Sequence, residues 1–274
     1  MPELPEVETL RRSLLPHLQG RLMESVQVFE HRLRRPLHPE RFCAALRGRR
    51  VLNLRRRAKY LLFDLDDEQV LLAHLGMSGS MALLYPAIER RKHDHVVWAL
   101  EGGIELRFHD PRRFGVLDVF ARELEAQHPS LQPLGIEPLS EALHESAFFQ
   151  KLCKRKQAIK QALMDAHLVV GIGNIYASEA LFRAGIHPSS SASSLTPRRY
   201  RKLAESIQHT LQQAIECGGT TLRDFHDAEG QQGYFALELQ VYGREGEPCP
   251  RCARPVERFV QVGRSTFFCA RCQR

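Results

Sequence analysis

Four cysteines close the chain as Cys249-x2-Cys252-x16-Cys269-x2-Cys272, and no other spacing in the sequence carries chemistry so clearly. Two Cys-x-x-Cys knuckles present four thiolates to one zinc ion and leave no ligand position for water, so such a site is structural. The competing reading is a pair of redox dithiols. At the other end of the chain, Pro2 becomes the first residue once Met1 is removed. An α-amino group titrates near neutrality, at about 7.7–8.0. A terminal secondary amine can therefore attack an electrophilic carbon and form an iminium. Glu3 beside it offers a general acid or base. Against this stands the ordinary fate of a Pro-Glu start, a frayed terminus.

Several further stretches mix basic, aromatic and glycine residues. Arg55-Arg-Arg-Ala-Lys59 precedes an apolar segment and reads either as a phosphate-facing surface or as a charged strand edge that discourages pairing. His74-Leu-Gly-Met77-Ser-Gly sets a methionine in a glycine-flanked turn. Asp110-Pro-Arg112-Arg113-Phe114-Gly115 joins an arginine to an aromatic in a loop, a pairing suited to insertion into a base stack. A core aromatic beside a surface arginine would read the same way. Lys92-His93-Asp94-His95 offers two histidines without a nearby third ligand, which fits surface polarity better than a metal. Gly171-Ile-Gly173-Asn174 lies between two helical segments and would let a backbone approach a phosphate at a helix start. The same glycines serve a plain helix connection equally well.

The elements that must hold these groups follow from patterning. Residues 1–19 carry Leu10, Leu14, Leu15 and Leu18 at helical spacing, with Pro16 as a candidate break. Short apolar runs at 51–54, 60–65, 70–75, 95–100 and 104–108, separated by turn residues, predict a two-layer sandwich or a barrel. Prolines 129, 133 and 138 mark a linker, and helices are expected over 147–166, 175–184 and 197–217. Thr196-Pro197 supplies a cap and first-turn proline for the last of these. Residues 218–248 read as an irregular, glycine-rich loop, and a hairpin of strands 256–262 and 265–268 lies between the two cysteine pairs, turning at Gly263-Arg264.

Composition sets the outer limits. The chain has 274 residues, 43% hydrophobic and 26% charged, enough for two or three domains with a sizeable core. Its formal charge is +7, and residues 249–274 alone hold six arginines against Glu257. A basic module of this kind fits a polyanion, nucleic acid first. No apolar stretch is long enough to span a membrane. The acidic start lacks the pattern of a signal peptide. Seven cysteines, three of them scattered as Cys43, Cys153 and Cys217, point to a reducing cytoplasm.

Taken in order, these segments resemble the bacterial formamidopyrimidine-DNA glycosylase family. The resemblance runs through Pro2-Glu-Leu-Pro-Glu6-Val-Glu, Arg57-Ala-Lys59-Tyr, His74-Leu-Gly-Met77-Ser-Gly and Lys92-His93-Asp-His. It continues through Asp110-Pro-Arg-Arg-Phe-Gly115, Val170-Gly-Ile-Gly-Asn-Ile-Tyr176, Gln240-Val-Tyr-Gly-Arg244 and the four cysteines. It implies an α+β multidomain fold: a catalytic N-terminal β-sandwich with flanking helices (1–130), a helix–two-turn–helix DNA-binding region with a lesion-recognition loop (131–240), and a zinc-finger hairpin (241–274). It implies one structural zinc, damaged duplex DNA as partner, and a monomer. By the same resemblance Pro2 is the nucleophile toward C1′ of the damaged nucleotide, and Glu3 assists opening of the sugar ring. Lys59 acts in β-elimination, and Arg264 in δ-elimination and phosphate binding. Met77, Arg112 and Phe114 fill the space left by an everted base. His93, Arg112, Arg155, Lys160 and Asn174 lie at the DNA backbone or near the lesion. At 155 the family more often carries lysine, so the donor geometry differs there. The glycine-rich stretch near 218–234 matches the lesion-recognition loop.

Two alternatives bound this expectation. The related oxidised-pyrimidine glycosylases of the endonuclease VIII type begin Pro-Glu-Gly-Pro-Glu, where this chain has Leu4, and lack the Arg112/Phe114 pattern. A zinc-finger DNA-binding protein without catalysis would have no use for Pro2, Glu3 and Lys59 together.

Overall fold

The computed structural model describes residues 2–84, 88–219 and 239–274. They form two compact units, one of the described residues up to 132 with 217–219, the other of 133–216 with 239–274.

The first unit opens with helix α1, Leu4–Leu18, which buries Leu4, Val7, Leu10, Leu14 and Leu18 along one stripe. Pro5 stands in its first turn, where the N–H has no intrahelical acceptor anyway. Pro16 does not break the helix: it falls in the last turn, where a missing N–H costs only one terminal bond, and Gln19 still donates to the Leu15 carbonyl at 3.0 Å. Eight strands and a second helix follow: β1 (Met23–Val28), α2 (Pro39–Leu46), β2 (Val51–Arg57), β3 (Tyr60–Leu65), β4 (Gln69–His74), β5 (Ser80–Leu84), β6 (Asp94–Leu100), β7 (Ile104–His109) and β8 (Val116–Ala121). They pair antiparallel into two four-stranded sheets, ordered β1-β6-β7-β5 and β2-β3-β4-β8. Phe63, Leu71, Met81, Trp98 and Phe108 fill one core, and α1 and α2 add Leu10, Leu14, Phe42 and Leu46 to it. This is the expected sandwich. Strands β1, β5 and β8 and helix α2 lie outside the segments expected from the sequence; α2 buries only Phe42 and Leu46, too few for helical periodicity to reveal it.

The second unit holds α3 (Ser146–Cys153), α4 (Ile159–Leu163), α5 (Asn174–Ala184) and α6 (Pro197–Glu216), then a hairpin of β9 (Glu257–Gln261) and β10 (Arg264–Phe268). The single helix expected over 147–166 is in fact two. Ala158 is extended and forms a bridge with Ser191, while Ile159 donates to the Ser190 carbonyl at 2.7 Å. These tertiary bonds outcompete helix continuation across the cationic run Lys154-Arg155-Lys156. Helix α6 begins as expected, with the Arg199 N–H donating to Thr196 Oγ1 at 3.3 Å. The cysteine module packs on α5 through Phe182, Val241, Val256 and Phe267. Its hairpin turns at Val262-Gly263, both at positive φ, so Arg264 is the first residue of β10 and not part of the turn. No helix among the described residues is long and apolar enough to cross a membrane.

Candidate active site and nucleic-acid interface

In the first unit, Pro2 immediately precedes α1 and Glu3 occupies the helix cap, only 3% exposed. The Glu3 N–H donates to Glu6 Oε2 at 2.8 Å, so Glu6 at the third helical position satisfies an otherwise orphan donor. Glu6 is itself approached by Gly219 at φ +84: a Cβ there would stand 3.2 Å from the Glu6 Cγ and Oε1. Only glycine lets the chain turn so close to this carboxylate.

Further along α1, Glu8 binds Arg11 at 2.8 Å, Arg12 at 2.9 Å and, across to β2, Arg56 at 3.1 Å. Burial pushes the Glu8 carboxyl up, but the three arginines outweigh it and hold the pKa at about 2. Arg56 also donates to the Ala58 carbonyl at 3.0 Å. The start of α1 is thereby tied to the two-residue turn that carries Lys59 between β2 and β3. Ala58 adopts φ 55 in this turn, a conformation that costs a non-glycine residue about 1–2 kcal/mol. Tyr60, next to Lys59, stands opposite His74 with ring centroids 4.8 Å apart. Burial, then the Lys59 and Arg34 charges, lower the His74 pKa to about 4. Its Nδ1 accepts the Gly76 N–H at 3.0 Å, so the neutral ring carries its proton on Nε2, facing away from that bond.

The next turn meets the loop after β7. Gly76 has φ +67, and a Cβ on it would fall 2.5 Å from the Phe114 carbonyl carbon and 2.7 Å from the Gly115 nitrogen. This backbone contact brings Met77 beside Phe114, and the two stay 39% and 41% exposed. The Arg112 guanidinium lies 4.8 Å from the Phe114 ring centroid. Asp110, fully buried, holds both loops: its carboxylate accepts the Gly115 N–H at 2.7 Å and the Ser78 hydroxyl at 3.4 Å. The Asp110 N–H donates to the His93 carbonyl at 3.0 Å, and the Asp110 carbonyl accepts from His95 Nε2 at 2.7 Å. His93 is thus fixed at the same corner, half-buried, its ring edge-on to His95 and His109.

The second unit carries the remaining candidates. Cys249 and Cys272 Sγ are 3.9 Å apart, Cys252 and Cys269 Sγ 3.5 Å, and all four lie within 4.8 Å of one another. Zinc–thiolate bonds of about 2.3 Å require tetrahedral edges of about 3.8 Å, so the four thiolates fit one structural zinc. Among the described residues this is the only group of three or more candidate ligands; the histidines around Asp94 do not form one. Lys160, 2% exposed, reaches across from α4 to β10, donating to the Ser265 carbonyl at 3.1 Å and Thr266 Oγ1 at 2.8 Å. Asn174, first residue of α5, donates through Nδ2 to the same Ser265 carbonyl at 3.0 Å. Both side chains fix the strand that begins with Arg264. Arg264 is exposed and lines a cavity of about 330 Å3 with Lys160, Gln157, Gln161 and Gln261. Arg155 is exposed too, 4.0 Å from Asp165.

Pro2, Glu3, Lys59, His93, Met77, Arg112 and Phe114 therefore share one unit, and Arg155, Lys160, Asn174, Arg264 and the cysteines the other. The lesion-loop expectation falls mainly on 220–238, outside the described residues. Sequence reading missed Glu6, Glu8 and Asp110 as organisers. For Glu6 the signal was present, an acid three residues after the capping Glu3. For Asp110 nothing local foretold bonds to Ser78 and His93.

Comparison with known proteins is consistent along the whole chain. Residues 1–117 match the formamidopyrimidine-DNA glycosylase N-terminal domain, 134–226 the formamidopyrimidine-DNA glycosylase H2TH domain, and 246–274 a zinc finger found in FPG and IleRS. A formamidopyrimidine-DNA glycosylase of Laribacter hongkongensis is 50% identical over 274 residues, with both chains fully covered. The crystal structure of the MutM (Fpg) protein from Thermus thermophilus is 44% identical, with a TM-score of 0.87 over 99% of this chain and 98% of that one. A Lactococcus lactis Fpg variant, solved in complex with DNA containing Fapy-dG, is 35% identical with a TM-score of 0.93 over 99% of both chains.

Proposed function

The chain belongs to the formamidopyrimidine-DNA glycosylase family, and on that premise we propose that it excises oxidised purines, 8-oxoguanine and formamidopyrimidines, from duplex DNA and then cleaves the strand. The observation that carries this reading is the contact of Gly76 with the Phe114–Gly115 backbone. It gathers Met77, Arg112 and Phe114 into an exposed apolar and cationic wedge, in the same unit as Pro2, Glu3 and Lys59. An enzyme that attacks C1′ must evert the nucleotide, and the wedge fills the gap and keeps the stack from closing.

In this reading the Pro2 nitrogen attacks C1′. The glycosidic bond breaks with its electron pair leaving on the base, and Glu3 assists opening of the sugar ring, leaving an iminium. Lys59 takes part in the first elimination, which removes a C2′ proton and expels the 3′ phosphate. Arg264 takes part in the second, which expels the 5′ phosphate. Water then hydrolyses the iminium, freeing the Pro2 amine and releasing the unsaturated sugar fragment as an aldehyde, which leaves a one-nucleotide gap with phosphates on both sides. Lys160 and Asn174 serve by fixing β10 under Arg264, and His93, Arg112 and Arg155 by meeting the DNA backbone. The zinc, held by the four cysteines, does no chemistry and shapes the hairpin. The enzyme acts as a monomer in the bacterial cytoplasm.

Strand cleavage of end-labelled duplexes tests the lesion class. A duplex with 8-oxoguanine opposite cytosine should be cut to phosphate-ended fragments, at least tenfold faster than one with thymine glycol. The reverse preference would move the chain to the oxidised-pyrimidine specificity, and cutting of neither would leave a DNA-binding protein.

A further inference from the structure

A cavity of about 260 Å3 lies between α5, α6 and the start of the cysteine module, lined by none of the catalytic or DNA-facing residues named above. Two guanidinium groups converge on it. Arg183 donates to Gln213 Oε1 at 3.1 Å. Arg251, between Cys249 and Cys252, lies 4.3 Å above the Phe182 ring and donates to the Phe182 and Arg183 carbonyls at 3.0 and 3.3 Å. Those carbonyls belong to the last turn of α5, where the Phe182 carbonyl also accepts the Gly185 N–H at 3.0 Å, so Arg251 is held in place beside Arg183. Among the described residues neither arginine forms an ion pair. Burial and then the Arg251 charge push the Arg183 guanidinium below its ordinary range, and the Glu179 charge offsets them only in part.

The cavity also contains a donor without an acceptor. Thr210, 3% exposed, lines it, and among the described residues its hydroxyl has no hydrogen-bond partner. A buried hydroxyl left unpaired is costly, and native structures seldom leave one so. One carboxylate reaches the cavity, that of Glu179, but it is committed to the N–H groups of Gln240, Val241 and Tyr242 at 2.9, 3.0 and 2.8 Å. Two cations, one hydroxyl donor and one engaged carboxylate leave the site net positive.

We propose that this cavity is a binding site for a small tetrahedral oxyanion of the phosphate or sulfate class, held by Arg183, Arg251 and the Thr210 hydroxyl. Charge-assisted bonds from guanidinium groups are the strong ones for such ligands. The volume accommodates one oxyanion and several waters, each of about 30 Å3. The bound anion joins the end of α5 to the first zinc knuckle, which makes it a structural ligand and independent of the glycosylase reading.

Titration calorimetry of the zinc-loaded full chain with inorganic phosphate, with anomalous scattering from selenate-soaked crystals, tests the site. One selenate is expected within hydrogen-bond distance of Arg183 and Arg251. Phosphate affinity should fall at least tenfold in Arg183→Gln and several-fold in Thr210→Val. Thr210→Val removes only a hydroxyl, so it reports even if Arg183→Gln fails to fold. Absence of selenate from the cavity, or loss of phosphate binding in Arg264→Gln with Thr210→Val unaffected, would overturn the proposal. Competition by an undamaged duplex would assign the site to a backbone phosphodiester, and simultaneous binding to a free anion.

Discussion

At the scale of single residues, the wedge and the half-buried His74 make separable statements. Met77 and Phe114 are large apolar side chains left exposed on two turns that the Gly76 backbone contact joins, the arrangement of a surface kept for a partner. Met77→Ala should slow excision of 8-oxoguanine from duplex by about tenfold, or ~1.4 kcal/mol of barrier. It should leave cleavage at a preformed abasic site within about twofold, because less eversion work remains there. Equal loss on both substrates would place Met77 in the chemistry instead. His74 should titrate near 4 by proton NMR, and Lys59→Met should raise that midpoint, since the Lys59 charge is the second cause of the shift. The sign for stability follows from proton counts. Between about 6.5 and 4 the unfolded chain holds the His74 proton and the folded one does not, so stability falls as pH drops through that window. A midpoint near the ordinary 6.5 would contradict the burial described.

At the scale of elements, two turns do most of the positioning, and neither is regular structure. Gly76 is the closer constraint. Gly76→Ala forces a Cβ onto the Phe114 backbone at a left-handed φ, which should cost roughly 2–3 kcal/mol by urea unfolding and disable excision more than abasic-site cleavage. A variant as stable as wild type would show that the two loops can separate freely. The core strands were legible in the sequence because β3, β4 and β6 are nearly continuous apolar runs and β7 alternates Ile104, Leu106 and Phe108 with polar residues. The break between α3 and α4 was not, because its cause, the bond from Ile159 to Ser190, comes from a segment distant in the chain. The Arg264 position shifted by one element for a related reason: Val262 takes the positive φ that the sequence would assign to glycine.

At the scale of the whole molecule, the proposed chemistry is divided between the unit that holds Pro2, Glu3 and Lys59 and the helical, cysteine-bearing unit that holds Arg264. Each motif names its own chemistry in the sequence, but the long-range bonds from Asp110 to Ser78 and from Glu8 to Arg56 could not be read there. Zinc should bind with one equivalent per chain. Its removal by a chelator should lower the Tm and abolish strand cleavage, with both restored by zinc. Full cleavage by protein verified as metal-free would separate the hairpin from function.

The central claim is that Pro2 is the nucleophile. Sodium borohydride trapping on a duplex with 8-oxoguanine opposite cytosine, followed by mass spectrometry of the adducted peptide, tests it most directly. The account predicts a covalent adduct on Pro2 that disappears in Pro2→Gly and when Met1 is retained. An adduct on Lys59 or another lysine, or strand cleavage with no adduct at all, would contradict it.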